Sequence, residues 1–257
     1  MKILDLKYYF EYEKKIGFSI PKFIYEYNFD DIYKTSIYQT QSAAVYSSNI
    51  EGNSLDLNSF MNYELHNKKN ENKEVKEIEN LIKAYDFAKD NNLNEKNFLK
   101  CHQMLSETLL IKSKRGEYRN EKIGVFSKQG LVYLAIEPEF VVKEMIALFD
   151  DILELLNKKL TESEVFYCAS FIHLKFVHIH PFSDGNGRIA RLLEKWFLSE
   201  KLGQNFWQIE SEKYYKEYRN DYYQNINLGV NYYELNYDKC ISFLMMLPKS
   251  LYRNIGE

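Results

Sequence analysis

The chain has 257 residues, 34 of them basic and 37 acidic, for a formal net charge of −3. No basic excess calls for nucleic acid or an anionic membrane surface as partner, and with only 10 glycines and 4 prolines a turn-rich β-sandwich is excluded. The length suits one large domain, or one with a small appendage. The three cysteines, Cys101, Cys168 and Cys240, have no short spacing, so neither a disulfide framework nor a zinc pattern is visible. Residues 1–20 lack the apolar core of a signal peptide. No apolar run reaches the ~18 residues of a membrane span, so a cytoplasmic location is expected.

Taken in chain order, the segments are mostly helical. Residues 1–29 have no readable pattern. DDIYKTSIYQTQSAAVYSSN (30–49) reads as a helix opening on Asp and closing near Asn49 and Gly52. DLNSFMNYELHN (56–67) starts on a capping Asp. NKEVKEIENLIKAYDFAKDNN (72–92) places Val75, Ile78, Leu81, Ile82 and Tyr85 on one face. NEKNFLKCHQMLSETLL (94–110) repeats that periodicity. KIGVFSKQGLVYLA (122–135) holds two short β-prone runs around SKQG and predicts a hairpin. EPEFVVKEMIALFDDILELLNKK (137–159) returns to helix, with Pro138 in the first turn. ESEVFYCASFIHLKFVHI (162–179) is apolar enough for a buried helix. Further helices are expected from Gly187 to Ser199, over 211–229 with Gly229 as the stop, and over 237–247, ended by Pro248. The sum is a mainly all-α bundle with one small hairpin.

Between two of these helices lies HPFSDGNGRIAR, residues 180–191. Gly185, Asn186 and Gly187 can aim successive backbone N–H groups into one concavity at a helix N-terminus, which favours a phosphate. Arg188 and Arg191 share a face at the start of that helix, and two guanidiniums beside such a nest suit a polyphosphate. Asp184 is the one acid among these positive groups. That fits Mg²⁺, which takes one or two carboxylates and fills its shell with phosphate oxygens and water. His180, with an ordinary pKa of ~6.5, can take a proton from a hydroxyl. Phe182 is apolar enough to pin the loop into the core. The set asks for phosphoryl-type chemistry by positioning and charge neutralisation. His173 and His178, on the apolar helix, read as packed, hydrogen-bonded core histidines. His66 and His102 have no readable partner.

These twelve residues match every specified position of the Fic family signature, HPFx(D/E)GNGRxxR. FIHLKFVHI before it and ARLLEKWFL after it resemble the family's flanking helices. CHQMLSETLL with RGEYRNEKIGVF resembles the segment leading to its hairpin, and YYKEYRNDYYQNI its C-terminal helix. The resemblance covers roughly residues 30–247 and implies the Fic helical bundle with a β-hairpin flap, preceded by a segment 1–29 and followed by a short tail, 248–257. It implies a protein adenylyltransferase that moves AMP from ATP to a Ser, Thr or Tyr hydroxyl of a target protein. His180 is then the general base, Asp184 the Mg²⁺ ligand, Gly185, Asn186 and Gly187 the anion nest, Arg188 the β-phosphate contact and Arg191 the γ-phosphate contact. The phosphorylating Doc branch carries Lys where Gly187 stands, while phosphocholine-transferring members also use this loop, so the motif leaves the donor open.

SSNIEGNS (47–54) resembles the family's inhibitory motif, (S/T)xxxE(G/N), with Ser47, Glu51 and Gly52. The resemblance implies that Glu51 pairs with Arg191. A bidentate bridge is expected, withholding the arginine from the γ-phosphate. In the hairpin, Val125 and Phe126 are candidates to hold the target chain by strand addition. Tyr222 and Tyr223 are candidates to lie against adenine. Two alternatives share the site: removal of AMP, with Glu51 orienting water, and a nucleotide-binding regulatory module with little catalysis. Many relatives carry a C-terminal winged helix. Only residues 248–257 follow Leu247 here, so no DNA-binding appendage is expected. Homodimers occur in the family.

Overall fold

The computed structural model describes residues 2–27, 29, 36–66, 72–127 and 130–252. It opens with two short helices, α1 (Tyr9–Lys15) and α2 (Ile20–Glu26). Their residues Tyr12 and Ile20 are fully buried in the same core as the rest of the chain. The next helix, α3 (Ser36–Ile50), carries the Ser47–Gly52 stretch at its end. The expected opening of that helix, residues 30–35, lies outside the described residues, as does Asn67 beyond α4 (Leu57–His66). Asp56 caps α4 as expected, accepting the Ser59 N–H at 2.9 Å. Asn72 and Asn94 accept N–H bonds at the starts of α5 (Lys73–Lys89) and α6 (Glu95–Leu105).

The hairpin forms where expected. Gly124–Ser127 (β1) pairs antiparallel with Gly130–Leu134 (β2), and a bulge falls between Val125 and Phe126. Two residues of the expected SKQG turn, Lys128 and Gln129, lie outside the described residues. Next come α7 (Pro138–Asn157), with its proline in the first turn, and α8 (Glu162–Ile179), opened by a reciprocal cap between Thr161 and Glu164. Almost every residue of α8 is buried, which explains why its sequence shows no polar face. α8 packs along α9 (Asn186–Leu202), and the loop 180–185 joins them.

Two expectations fail in the last quarter. The single helix over 211–229 is two, α10 (Ser211–Glu217) and α11 (Arg219–Ile226), because Tyr218 between them leaves helical geometry at φ −98°, ψ 38°. The helical run also does not stop at Pro248. After α12 (Ile241–Leu244), α13 (Met246–Tyr252) passes through it. A proline in the first turn costs nothing there, since its missing N–H would have had no intrahelical acceptor. All three cysteines are free and buried. No described helix is long and apolar enough to cross a membrane.

Candidate active site

The loop between α8 and α9 is held by buried, local contacts. His180 closes α8 in the left-handed region at φ 52°, an uncommon place for a residue with a Cβ. The side chain of Asn186 clamps the backbone of Phe182 from both sides: its Oδ1 accepts the Phe182 N–H at 2.9 Å and its Nδ2 donates to the Phe182 carbonyl at 2.8 Å. Asn186 therefore shapes the loop with its side chain and can face an anion only with its backbone. Phe182 is fully buried, as expected, with its ring stacked on His102 at 3.5 Å. His102, which has no sequence signature, braces the turn. Its Nδ1 accepts the Gly116 N–H at 3.0 Å and its Nε2 donates to the Asp184 carbonyl at 2.9 Å. Burial lowers its pKa to about 4, in keeping with that neutral tautomer.

Gly185 caps α9 at φ 82°, and no side chain caps the helix end. The first helical bond runs from the Ile189 N–H to the Gly185 carbonyl. The N–H groups of residues 186–188 thus have no acceptor within the helix. Beside Gly187 in this first turn lies Glu51. A Cβ added to Gly187 would overlap Glu51 Oε1. The same oxygen accepts from Arg191 Nη2 at 2.8 Å. The expected bidentate bridge is a single-oxygen contact instead, because the rest of the guanidinium is committed elsewhere. Arg191 Nε donates to Ser47 Oγ at 2.8 Å, Nη2 also to the Ser47 carbonyl at 2.9 Å, and Nη1 to the Tyr222 hydroxyl at 3.2 Å. Burial works to raise the pKa of Glu51, but the Arg191 and Arg188 guanidiniums outweigh it and hold the carboxyl below its usual range. Gly52, at φ 106°, carries the chain away from the end of α3.

Arg188 is buried and donates from Nε to Glu77 Oε1 at 2.9 Å, while its Nη1 lies 3.7 Å from Asp184. Sequence reading missed Glu77, since one acid on an amphipathic helix carries no signal. The Asp184 side chain is half exposed at the loop mouth, its Oδ1 accepting the Gly185 N–H at 2.6 Å. Among the described residues no three His, Cys, Asp or Glu side chains converge on a point. A metal cage made of protein alone is therefore not there, but a single accessible carboxylate beside an anion nest fits Mg²⁺ completed by phosphate and water.

His180 Nδ1 faces the Val177 carbonyl at 3.3 Å. A carbonyl can only accept, so Nδ1 carries the proton and Nε2 the lone pair. Burial pulls the imidazole pKa down to about 4, with Arg119 adding to the drop and Glu51 and Asp184 opposing it. The ring is neutral near pH 7 and able to take a proton. It lines a cavity of about 560 Å³ together with Glu51, Gly187, Val125, Phe126, Tyr222 and Tyr223. Of the two tyrosines, Tyr222 is fully buried, its hydroxyl shared between Arg191 and His173 Nε2 at 2.9 Å. Tyr223 is half exposed and bonds to the Ile50 carbonyl at 3.0 Å. Phe126 is 72% exposed, so the hairpin offers an uncovered apolar side chain over the cavity. His173 and His178 have the packed roles expected of them. The first bonds to Glu194 and Tyr222, the second to Tyr237 and the Ile226 carbonyl.

Residues 92–198, which include the whole loop, match the Fic/DOC family. This stretch is what the chain has in common with the Fic/DOC family. The Protein adenylyltransferase Fic of Aedes aegypti is 46% identical over 61 residues, 24% of this chain and 12% of that protein. A Fido domain-containing protein of Dictyostelium discoideum is 29% identical over 141 residues, 54% of this chain and 90% of that one. The crystal structure of a Fic family protein from Desulfovibrio desulfuricans G20 superposes with a TM-score of 0.78 at 21% identity, over 95% of this chain and 74% of that chain. The match thus spans about an eighth of the Aedes adenylyltransferase, while the likeness in fold to the Desulfovibrio protein extends over 95% of this chain.

Proposed function

We propose that the chain is a protein adenylyltransferase, moving AMP from ATP to a Ser, Thr or Tyr hydroxyl of a target protein, and that Glu51 restrains it. One observation carries this reading: a neutral His180, Gly187 at the uncapped N-terminus of α9 and the Glu51 carboxylate just after α3 line one cavity, with Glu51 against Gly187. In the productive arrangement the hydroxyl oxygen attacks the α-phosphorus as His180 Nε2 takes its proton. The bond from the α-phosphorus to the oxygen bridging toward the β-phosphate breaks, and pyrophosphate leaves with that electron pair. The N–H groups of residues 186–188 and Arg188 hold the phosphates, and Arg191 reaches the γ-phosphate once Glu51 has left. Asp184 would hold Mg²⁺, which when bound neutralises charge on the departing pyrophosphate. The hairpin supports the target backbone by strand addition, with Val125 and Phe126 against the side chain beside the modified one. Tyr223, half exposed on the cavity wall, is the better placed of the two tyrosines for adenine.

Removal of AMP draws support from one further feature. Glu51 borders the cavity with its carboxyl ionised, as a residue orienting an attacking water must be. The experiment uses ATP labelled at the α-phosphate with Mg²⁺, and compares wild type, Glu51→Gly, and Glu51→Gly with His180→Ala. Label on protein with Glu51→Gly alone supports transfer, the base and the restraint together. Loss of an AMP-removing activity in Glu51→Gly, with no gain of labelling, would turn the reading to the reverse reaction. ATP binding without any product from wild type or Glu51→Gly would leave only a binding module.

A further inference from the structure

Arg119 lies in the stretch RGEYRN ahead of the hairpin, 4% exposed and outside the cavity lining. Every hydrogen-bond partner it has among the described residues is a backbone carbonyl. Nε donates to His180 at 2.7 Å, and Nη2 to Ile179 at 3.3 Å and to Ile136 at 2.6 Å. Nη1 donates to Glu121 at 2.8 Å, and its own backbone N–H to Pro181 at 2.8 Å. These carbonyls fall into two groups. Ile179, His180 and Pro181 form the turn that leaves α8. Glu121 and Ile136 are the two feet of the hairpin, just before β1 and just after β2.

A guanidinium suits this place for a definite reason. The last carbonyls of a helix have no intrahelical donor and carry negative partial charge. His180 in the left-handed region turns its carbonyl away from the ladder, and a rigid planar fork of donors can meet several such oxygens at fixed angles. A lysine ammonium, with three donors on one atom, cannot span both groups.

We propose that Arg119 is the positioning residue of the transfer step: one buried fork ties the backbone that carries the base to both feet of the hairpin that presents the target, and so fixes the distance from His180 to the acceptor hydroxyl. This rests on the adenylyl-transfer reading above. Arg119 lies outside the cavity lining and its fork is taken up by backbone carbonyls, so nucleotide binding should not depend on it. The rate should, because a misplacement of about 1 Å at a reacting pair costs about a hundredfold.

The test places Arg119→Lys and Arg119→Ala in the Glu51→Gly background. ATP affinity is expected to stay within about threefold while labelling falls about a hundredfold. Added guanidinium ion should restore part of the rate to Arg119→Ala, and methylammonium should not. In parallel, amide hydrogen exchange in Arg119→Lys should quicken together at residues 121–123, 135–137 and 179–182, and remain slow in α5 and α6. A fall in ATP affinity as large as the fall in rate would overturn the proposal, as would an unchanged rate or faster exchange throughout the chain. If Glu51→Gly labels nothing, the transfer reading fails and exchange decides the link alone. Joint opening of hairpin feet and loop supports it, and opening of only one of them refutes it.

Discussion

Arg188 and Arg191 lie about one turn apart on one face of α9, and each meets a glutamate from elsewhere in the chain, yet the two contacts are built differently. Glu77 belongs to the first half of α5, a helix packed against both α3 and α6. Its carboxylate cannot leave Arg188 without moving that helix. Glu51 follows the last residue of α3, in a turn where Gly52 takes φ 106° and a Cβ there would meet nothing within 4 Å. Its carboxylate can swing away while α3 stays in place. Arg191 does not lose its footing when that happens, since Ser47 and Tyr222 still hold it. On the proposed reading, one of these two similar ion pairs is part of the frame and the other is a removable contact. The difference lies in where each glutamate sits on its helix and not in the distances, which are 2.9 and 2.8 Å.

The largest effect is expected on the fixed side. Glu77→Ala strands a buried guanidinium and should cost about 3–5 kcal/mol of stability, visible as a lower melting temperature with no gain in labelling. A gain like that of Glu51→Gly would erase the distinction between the two pairs. On the removable side, Glu51→Gly should raise labelling by about 5–150-fold, the span of an ordinary coupling energy, with little change in melting temperature. Ser47→Ala removes one hydrogen bond from Arg191, about 1 kcal/mol, and should loosen the restraint only a few-fold in the same assay. The smallest effect is a flat pH response. Glu51 has a folded pKa below its ordinary value, so its pairing is present above that value and is lost only as pH falls through the lowered one. His180, near 4, stays neutral over the same range. The ratio of Glu51→Gly to wild-type labelling should therefore be constant from about pH 5.5 to 8. A ratio that collapses near pH 6 would mean that the contact depends on a charge other than these.

Much of this was legible in the sequence, for reasons that differ by residue. The helix over 73–89 follows from periodicity, that over 162–179 from its apolar run, and the hairpin from β-prone runs around a turn. The loop was legible because glycines, an acid and two arginines have no other reason to gather there. The Glu51–Arg191 contact was reached by resemblance, and only its one-oxygen geometry was misjudged. That geometry depends on Tyr222, expected beside adenine but committed through its hydroxyl to Arg191 and His173. Arg119, His102 and Glu77 left no trace, because their work is done on backbone carbonyls or across sequence separations of 61, 82 and 111 residues. Tyr218 broke a helix that propensity would have continued, and Pro248 opened one it was expected to end.

On the proposed reading, the absent Cβ at Gly187 gives Glu51 the character of a tethered competitor. On that reading its carboxylate, seated at the nest proposed for a phosphate, is a ligand mimic that cannot diffuse away. A short tether gives such a group an effective concentration in the millimolar range. Occupancy is then independent of protein concentration and cannot be diluted out, unlike that of an inhibitor supplied by another chain. It can be outcompeted by an anion at comparable concentration, or abolished by any partner that draws the end of α3 out of reach. The strength of the proposed restraint would then be set by chain geometry at the end of α3 more than by the ion pair itself.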